Sequence, residues 1–174
     1  MRTVDVYAKA IHDIATADGS LSRVEDELFQ VAQLFESNDT LRAALTDAHA
    51  PVAARQQVMD DLLKGKASPT TLGAVALVVG AGHASDLPAI ARAVLEQGAA
   101  SRNHAVAEVR SAVPLTNEQR TRLAAALKAS TGKDVEIKVV IDPTVLGGVI
   151  TQIGDTVIDG SVRHRLNRVR ETLG

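Results

Sequence analysis

The sequence contains no cysteine and no tryptophan, and its aromatic residues are two phenylalanines and one tyrosine. Without cysteine there is no disulfide, no thiolate metal site and no cysteine nucleophile. With so few aromatic side chains, a pocket that stacks bases or sugars on aromatic rings is not expected. No apolar run approaches the roughly 18–20 residues that cross a bilayer. We therefore expect a soluble protein that meets a membrane only through its partners.

Charge is divided unevenly along the 174 residues, a length that suits one large domain or two small ones. Residues 1–104 carry 9 Lys and Arg against 13 Asp and Glu, whereas residues 105–174 carry 10 against 8. A protein that binds nucleic acid normally has a stronger basic excess. We expect the two segments to face different partners, with no nucleic acid among them.

The first hundred residues have the apolar spacing of short amphipathic helices. In the first helix this spacing is formed by Tyr7, Ala10, Ile11 and Ile14. A capping box of Ser22 and Glu25 predicts the start of the second helix, and Ser68-Pro69 predicts the start of the fifth. Since six short helices are not stable one by one, we predict a six-helix bundle over residues 1–104.

Beyond a linker at residues 100–104 the periodicity changes from that of a helix to that of a strand. A capping box of Thr116 and Gln119 predicts one helix, and Gly154-Asp155 predicts a tight hairpin. The predicted elements are strands at 105–114, 135–141, 149–153 and 156–158, and helices at 116–131 and from 159 onwards. The order strand–helix–strand–strand–strand–helix predicts a small α+β domain over residues 105–174, and hence an α+β chain.

No pattern of catalytic, metal-binding or cofactor-binding residues is present. The five histidines form no pair at the i, i+4 spacing of a helical metal site. Asp159, Ser161 and His164 have the residue types of a hydrolase triad, but capping of the last helix accounts for the Asp and the Ser. No glycine-rich phosphate loop occurs either. We therefore expect a non-catalytic protein that binds no metal and no cofactor.

The last third of the chain holds a dense series of motifs. They are Asp142-Pro143, Gly147-Gly148-Val149, Ile153-Gly154-Asp155 and Ile158-Asp159-Gly160-Ser161-Val162-Arg163. Upstream lie the segments 111–116 and 131–133, and the chain opens with Tyr7-Ala8-Lys9-Ala10-Ile11. Together these motifs resemble the delta subunit of F-type ATP synthases, the bacterial counterpart of the mitochondrial oligomycin-sensitivity-conferring protein.

The same motifs have a local structural interpretation. Glycines such as Gly147 and Gly148 adopt backbone conformations that residues with a Cβ resist, and Asp159 and Ser161 accept hydrogen bonds at a helix start. The signature is therefore predicted to build the fold. Its members are Asp142, Gly147, Gly148, Gly154, Asp155, Asp159, Gly160 and Ser161.

The resemblance implies a stator subunit in the peripheral stalk of a proton-driven rotary ATP synthase, at the cytoplasmic face of a bacterial cell membrane. The helical domain would hold the N-terminal segments of the alpha subunits, and the second domain would hold the C-terminal ends of the b-type stalk. The chain would alternatively be the delta-like part of a longer fused b-delta subunit, as some actinobacteria have. The implied alpha-subunit contacts lie on the first and fifth helices, at Tyr7, Ala8, Ile11, Leu77, Val78 and Ala81.

The implied stalk contacts are Arg163, Arg165 and Arg168, on the last predicted helix. Two interpretations of these arginines remain open: a solvated helix end that suits the helix dipole, or a patch for an acidic partner. For the whole chain the alternative is a helical RNA-binding or transcription-factor-like domain. That alternative predicts a basic groove on residues 1–104, against which the net negative charge of this segment argues.

Overall fold

A computed structural model describes residues 3–154 and 156–160 of the chain. Contacts divide the chain into two compact units, Met1–Gly98 and Ala99–Gly174. The predicted division after residue 104 lies a few residues beyond this boundary, which falls inside the sixth helix, Leu87–Ser101.

Residues 3–101 are helical throughout, apart from short connections. The helices are α1 (Thr3–Ala17), α2 (Leu21–Ser37), α3 (Asp39–Thr46), α4 (Val52–Leu63), α5 (Pro69–Gly80) and α6 (Leu87–Ser101), with a 3₁₀ turn at Ala84–Asp86. The second unit continues with β1 (His104–Ser111), α7 (Asn117–Thr131), β2 (Asp134–Ile141), β3 (Ile150–Ile153) and β4 (Thr156–Asp159). The described residues thus form seven α-helices and a four-stranded sheet, which confirms an α+β chain. The predicted last helix lies outside the described residues.

The core of the first unit is formed by one apolar stripe from each helix. On α2 the stripe is the one predicted, with Val24, Leu28, Val31 and Phe35 all buried. On α1 the buried residues are Ala8, Ile11 and Ala15, whereas Ile14 points away from the core. Burial of these stripes supplies the main stabilisation of the helices, at about 25 cal/mol per Å² of apolar surface.

Helix starts follow the predicted capping chemistry at one site and depart from it at another. The fifth helix begins after Ser68, whose hydroxyl accepts a hydrogen bond from the Thr71 N–H (3.3 Å), as Ser68-Pro69 predicted. The capping box of Ser22 and Glu25 is wrong, because α2 already begins at Leu21 and Glu25 is buried inside the unit. Tertiary burial of Glu25 has overridden the local pattern.

The sheet has the order β2-β1-β3-β4, with β1 parallel to β2 and antiparallel to β3. Helix α7 connects the parallel pair, as a crossover between parallel strands requires. Its capping box is confirmed: the Gln119 N–H donates to Thr116 Oγ1 (3.2 Å) and the Thr116 N–H donates to Gln119 Oε1 (2.9 Å). One face of the sheet packs on this helix through Ala107, Val109 and Leu127.

The described signature residues form turns around β2 and β3. Asp142 follows β2, and its carboxylate accepts hydrogen bonds from the Thr144 N–H (2.9 Å) and hydroxyl (2.6 Å). These bonds hold the pKa of Asp142 below its ordinary value. Gly147 and Gly148 both have positive φ, at 67° and 76°, a conformation that side chains with a Cβ disfavour.

The hairpin between β3 and β4 contains the rest of the described signature. Gly154, also with positive φ (54°), begins its turn, and the Gly160 N–H donates to the Val149 carbonyl (3.0 Å) beyond its open end. Asp159 is the last residue of β4 and pairs with Ile150. Asp155 and Ser161 lie outside the described residues. Within residues 3–154 and 156–160, no helix is long and apolar enough to cross a membrane.

Candidate functional site

An open groove of about 890 Å³ runs between α1 and α5 on the surface of the first unit. The two helices run antiparallel. The ring of Tyr7, near the start of α1, lies 5.4 Å from the ring of His83, which follows the end of α5. At the other end, the Thr70 hydroxyl at the start of α5 donates to Asp18 (2.7 Å), just beyond α1. We call this feature the α1–α5 groove.

The walls of the α1–α5 groove are apolar and exposed to solvent. Ile11 and Ala74 form its buried floor, and Ile14 of α1 and Leu77 of α5 line it with 56% and 51% of their surfaces exposed. Gly73 also lines it, next to Ala74. Large apolar side chains exposed side by side in a concave surface are typical of an interaction site.

One end of the groove is polar and is held rigidly to α2. Glu27 of α2 accepts hydrogen bonds from the Ser68 N–H (2.8 Å), the Ser68 hydroxyl (2.7 Å) and the Thr71 hydroxyl (2.6 Å). Its other oxygen accepts from Arg23 Nε (2.7 Å). We call Arg23, Glu27, Ser68 and Thr71 the Glu27 cluster. Because it joins α2 to the first turn of α5, it fixes where one wall of the groove begins.

The charge on Glu27 is strongly favoured by this cluster. Burial alone would raise the pKa of Glu27, since only 12% of its side chain is exposed. The hydrogen bonds from Thr71, Ser68 and Arg23 outweigh burial and hold the pKa at about 2, against an ordinary value of 4.5. The Glu27 carboxylate is therefore ionised near neutral pH, and both of its oxygens accept hydrogen bonds within the cluster.

The residues expected to contact the alpha subunit fall into two groups. Leu77 of α5 and Ala81, just after α5, are exposed, and Tyr7 is half-buried. Ala8, Ile11 and Val78 are buried, with 0%, 2% and 0% of their surfaces exposed. Ile11 forms part of the groove floor, whereas Ala8 and Val78 do not line the groove, and direct contact by either would require the helices to separate.

Sequence reasoning missed three residues that form the surface of the groove. The apolar spacing of α1 groups Ile14 with Tyr7 and Ile11 in one stripe, and no pattern marks Gly73 or Thr70 as a contact. One signal was available for Ile14: Val6, Ala10 and Ile14 form a second apolar stripe at i, i+4 and i+8, separate from the buried one.

The other predicted sites give less to describe. The stalk contacts predicted at Arg163, Arg165 and Arg168 lie outside the described residues. Among residues 3–154 and 156–160, no three His, Asp or Glu side chains come together as a metal site would need.

Comparison with known proteins gives a consistent result. Residues 4–173 match the family described as ATP synthase delta (OSCP) subunit. The chain is 41% identical over 165 residues to the ATP synthase subunit delta of Nocardia farcinica, covering 95% of this chain and 61% of the relative. It is 40% identical to that of Frankia alni, with the same 61% of the relative covered. The chain thus spans about three fifths of the length of these relatives. The subunit delta of Symbiobacterium thermophilum is 35% identical over 167 residues, and 90% of it is covered.

Solved structures are similar as well. A chain of the Toxoplasma gondii mitochondrial ATP synthase hexamer has a TM-score of 0.60 at 24% identity, over 99% of this chain and 98% of that one. At this identity the likeness concerns the fold alone. A chain of the Polytomella F-ATP synthase has a TM-score of 0.54 at 26% identity, over 59% of this chain and 90% of that one.

Proposed function

Since the chain belongs to the ATP synthase delta (OSCP) subunit family, we propose that it is a stator subunit of a proton-driven rotary ATP synthase. In this role it joins the catalytic head to the b-type peripheral stalk and catalyses nothing itself. It lies at the cytoplasmic face of a bacterial membrane and meets that membrane only through the complex. Residues 1–104 hold the head, and residues 105–174 hold the stalk.

The observation that carries the proposal is the α1–α5 groove. Its walls expose Ile14 and Leu77, and α5 has no charged residue along its length. A surface of this kind fits the apolar face of an amphipathic helix. We assign the groove to the N-terminal segment of an alpha subunit, docked as a helix.

The dimensions of the groove set the length of that helix. The twelve residues of α5 span about 18 Å at 1.5 Å per residue. A docked helix of about three turns would fill this length. Because residues 1–104 carry more acidic than basic residues, a helix with basic residues flanking its apolar face is favoured.

The stalk side of the proposal rests on the family resemblance. Arg163, Arg165 and Arg168 remain the proposed contacts with the C-terminal ends of the b-type subunit, and an acidic stretch of that subunit would complement them. Whether this chain acts as a separate subunit or as the delta-like part of a fused b-delta chain does not alter the surface that it offers.

The proposed task is mechanical. The rotor applies torque to the head, so both joints must persist through each step of rotation. A nanomolar dissociation constant corresponds to about 12 kcal/mol, and two joints held at once strengthen the connection further. The fixed first turn of α5 at the Glu27 cluster suits this task, since a preorganised groove loses less entropy when it is filled.

Titration calorimetry with a synthetic peptide of the alpha-subunit N-terminus tests the head side. Leu77→Asp and Ile14→Asp each place a charge in the groove while leaving the core intact, and each should weaken binding at least 100-fold, about 3 kcal/mol. Ile11→Asp is unsuitable, because Ile11 is buried and its substitution would unfold the unit. Val52→Asp is the matched control: Val52 is an exposed apolar residue of α4 that does not line the groove.

The control should bind the peptide as tightly as the unchanged protein, with circular dichroism showing all three variants folded. Peptide binding that survives both groove substitutions would contradict the proposed site. Absence of peptide binding together with salt-sensitive RNA binding would instead favour the nucleic-acid alternative.

A further inference from the structure

Gly73 stands in the middle of α5 and nothing in the fold requires it to be glycine. Glycine in a helix interior lowers helix stability relative to alanine. A Cβ built on Gly73 would meet no atom within 4 Å, and the residue does not have a positive φ. The unit would therefore accept a larger residue here and would gain stability from it.

The neighbouring glycines differ from Gly73 in this respect. Gly80, on the same helix, is explained by its surroundings: a Cβ there would come within 2.7 Å of Gln56 Nε2, which donates to the Ala76 carbonyl (3.2 Å). Several other glycines also leave room for a Cβ but have a positive φ that favours glycine; these are Gly19, Gly65, Gly82, Gly132 and Gly154. Gly73 has neither explanation within the chain.

The position of Gly73 in the groove suggests that a binding partner, and not the fold, accounts for the glycine. It faces the α1–α5 groove together with Ala74 and Ala17, and the large side chains Ile14 and Leu77 line the same groove. Small residues beside large ones make a recess, which is the shape that receives a single large side chain when two helices pack.

We propose that Gly73 forms a recess for one large apolar side chain of the docked helix, and that this side chain anchors the helix in the groove. The inference rests on the proposed function, since it assumes that an amphipathic helix fills the groove. It adds the chemistry that the groove selects: a leucine, isoleucine or phenylalanine at the position that faces Gly73, with smaller apolar residues on the rest of the docked face. Interfaces commonly concentrate their affinity in one such buried anchor.

Substitution of Gly73 separates this role from a structural one. Gly73→Ala fills part of the recess and Gly73→Leu fills all of it. Both substitutions also make the helical conformation of α5 more stable. We expect Tm to rise by about 2–4 °C in Gly73→Ala, as a modest stabilisation gives in a chain of this size. Affinity for the alpha-subunit N-terminal peptide should fall about tenfold in Gly73→Ala and further in Gly73→Leu. Ala53→Leu, an enlargement at an exposed position of α4, should leave affinity unchanged.

An alanine scan of the peptide identifies the anchor. Against the unchanged protein, one large apolar position should dominate, with a loss of tenfold or more on truncation. Against Gly73→Leu, the same truncation should cost little, because the recess is already filled.

Three results would contradict the recess, the role of Gly73 or the proposed function, and they can be told apart. If Gly73→Ala and Gly73→Leu bind the peptide as tightly as the unchanged protein, the recess is refuted and the proposed function stands. If Gly73→Ala lowers Tm, the fold itself needs this glycine and the inference fails. If the unchanged protein does not bind the peptide, the proposed function fails and the inference fails with it.

Discussion

Replacing Glu27 by glutamine should lower the stability of the first unit near neutral pH and remove the part of its acid sensitivity that Glu27 supplies. Glutamine keeps the shape of the side chain but loses the charge that accepts three hydrogen bonds from Ser68 and Thr71. These three bonds share one carboxylate oxygen, which the neutral and weaker amide oxygen would replace, while the NH2 group would face the Arg23 Nε–H that the other oxygen now accepts.

The lowered pKa of Glu27, which these hydrogen bonds cause, gives the order of magnitude. It is about 2 in the folded chain against an ordinary value of 4.5, so the folded state favours the ionised carboxylate. A difference of this size corresponds to about 3 kcal/mol of folding free energy. Because the folded pKa is the lower one, this contribution is complete above pH 4.5 and is lost as the pH falls towards 2.

Urea denaturation followed by circular dichroism, repeated from about pH 6 to about pH 2.5, measures both effects. At pH 6 Glu27→Gln should be about 3 kcal/mol less stable than the unchanged protein, and the difference should shrink as the pH falls through 4 and 3. Glu36→Gln, an exposed position on the same helix, is the matched control and should follow the unchanged protein throughout. A difference between the unchanged protein and Glu27→Gln that stays constant over this pH range would refute the reasoning.

Two further substitutions test the ends of other elements. Thr70→Val keeps the size of the side chain but removes its hydrogen bond to Asp18. The free energy of unfolding should therefore fall by about 0.5–1 kcal/mol, and the affinity for the peptide should fall by less than tenfold. Unchanged stability in urea would show that this bond does not hold the end of the groove. Thr116→Ala removes one half of the capping box of α7 and should cost about 1 kcal/mol, with faster amide hydrogen exchange at Gln119. Equal exchange rates at Gln119 in both proteins would contradict that role.

Features set by short stretches of chain were predictable from the sequence. The start of α5 at Ser68-Pro69, the capping box of Thr116 and Gln119, and the end of α7 at Gly132 all follow from bonds or φ values within a few residues. The alternation of β1 likewise predicted that Ala107, Val109 and Ser111 share one face, and all three are buried. Local chemistry decides these features, so no knowledge of the distant chain is needed.

The groove could not be predicted in the same way, because its helices are about fifty residues apart and their apolar patterns are ambiguous. α5 is apolar on nearly every side, so periodicity does not separate exposed Leu77 from buried Val78. α1 carries two apolar stripes, and only packing decides which one is buried. The association of the first and fifth helices with a partner came from the family resemblance, and the exposed residues came from the structure.

The chain enters the second unit through the middle of its sheet. Helix α6 ends at Ser101, and β1, which begins at His104, is flanked by β2 over eight paired positions and by β3 over four. A force directed along β1 is parallel to both ladders and loads them in shear. Hydrogen bonds loaded in shear resist together, whereas those of a hairpin pulled open at its ends break one after another. A subunit placed under repeated mechanical load would thus receive that load on the best-supported strand of the described sheet.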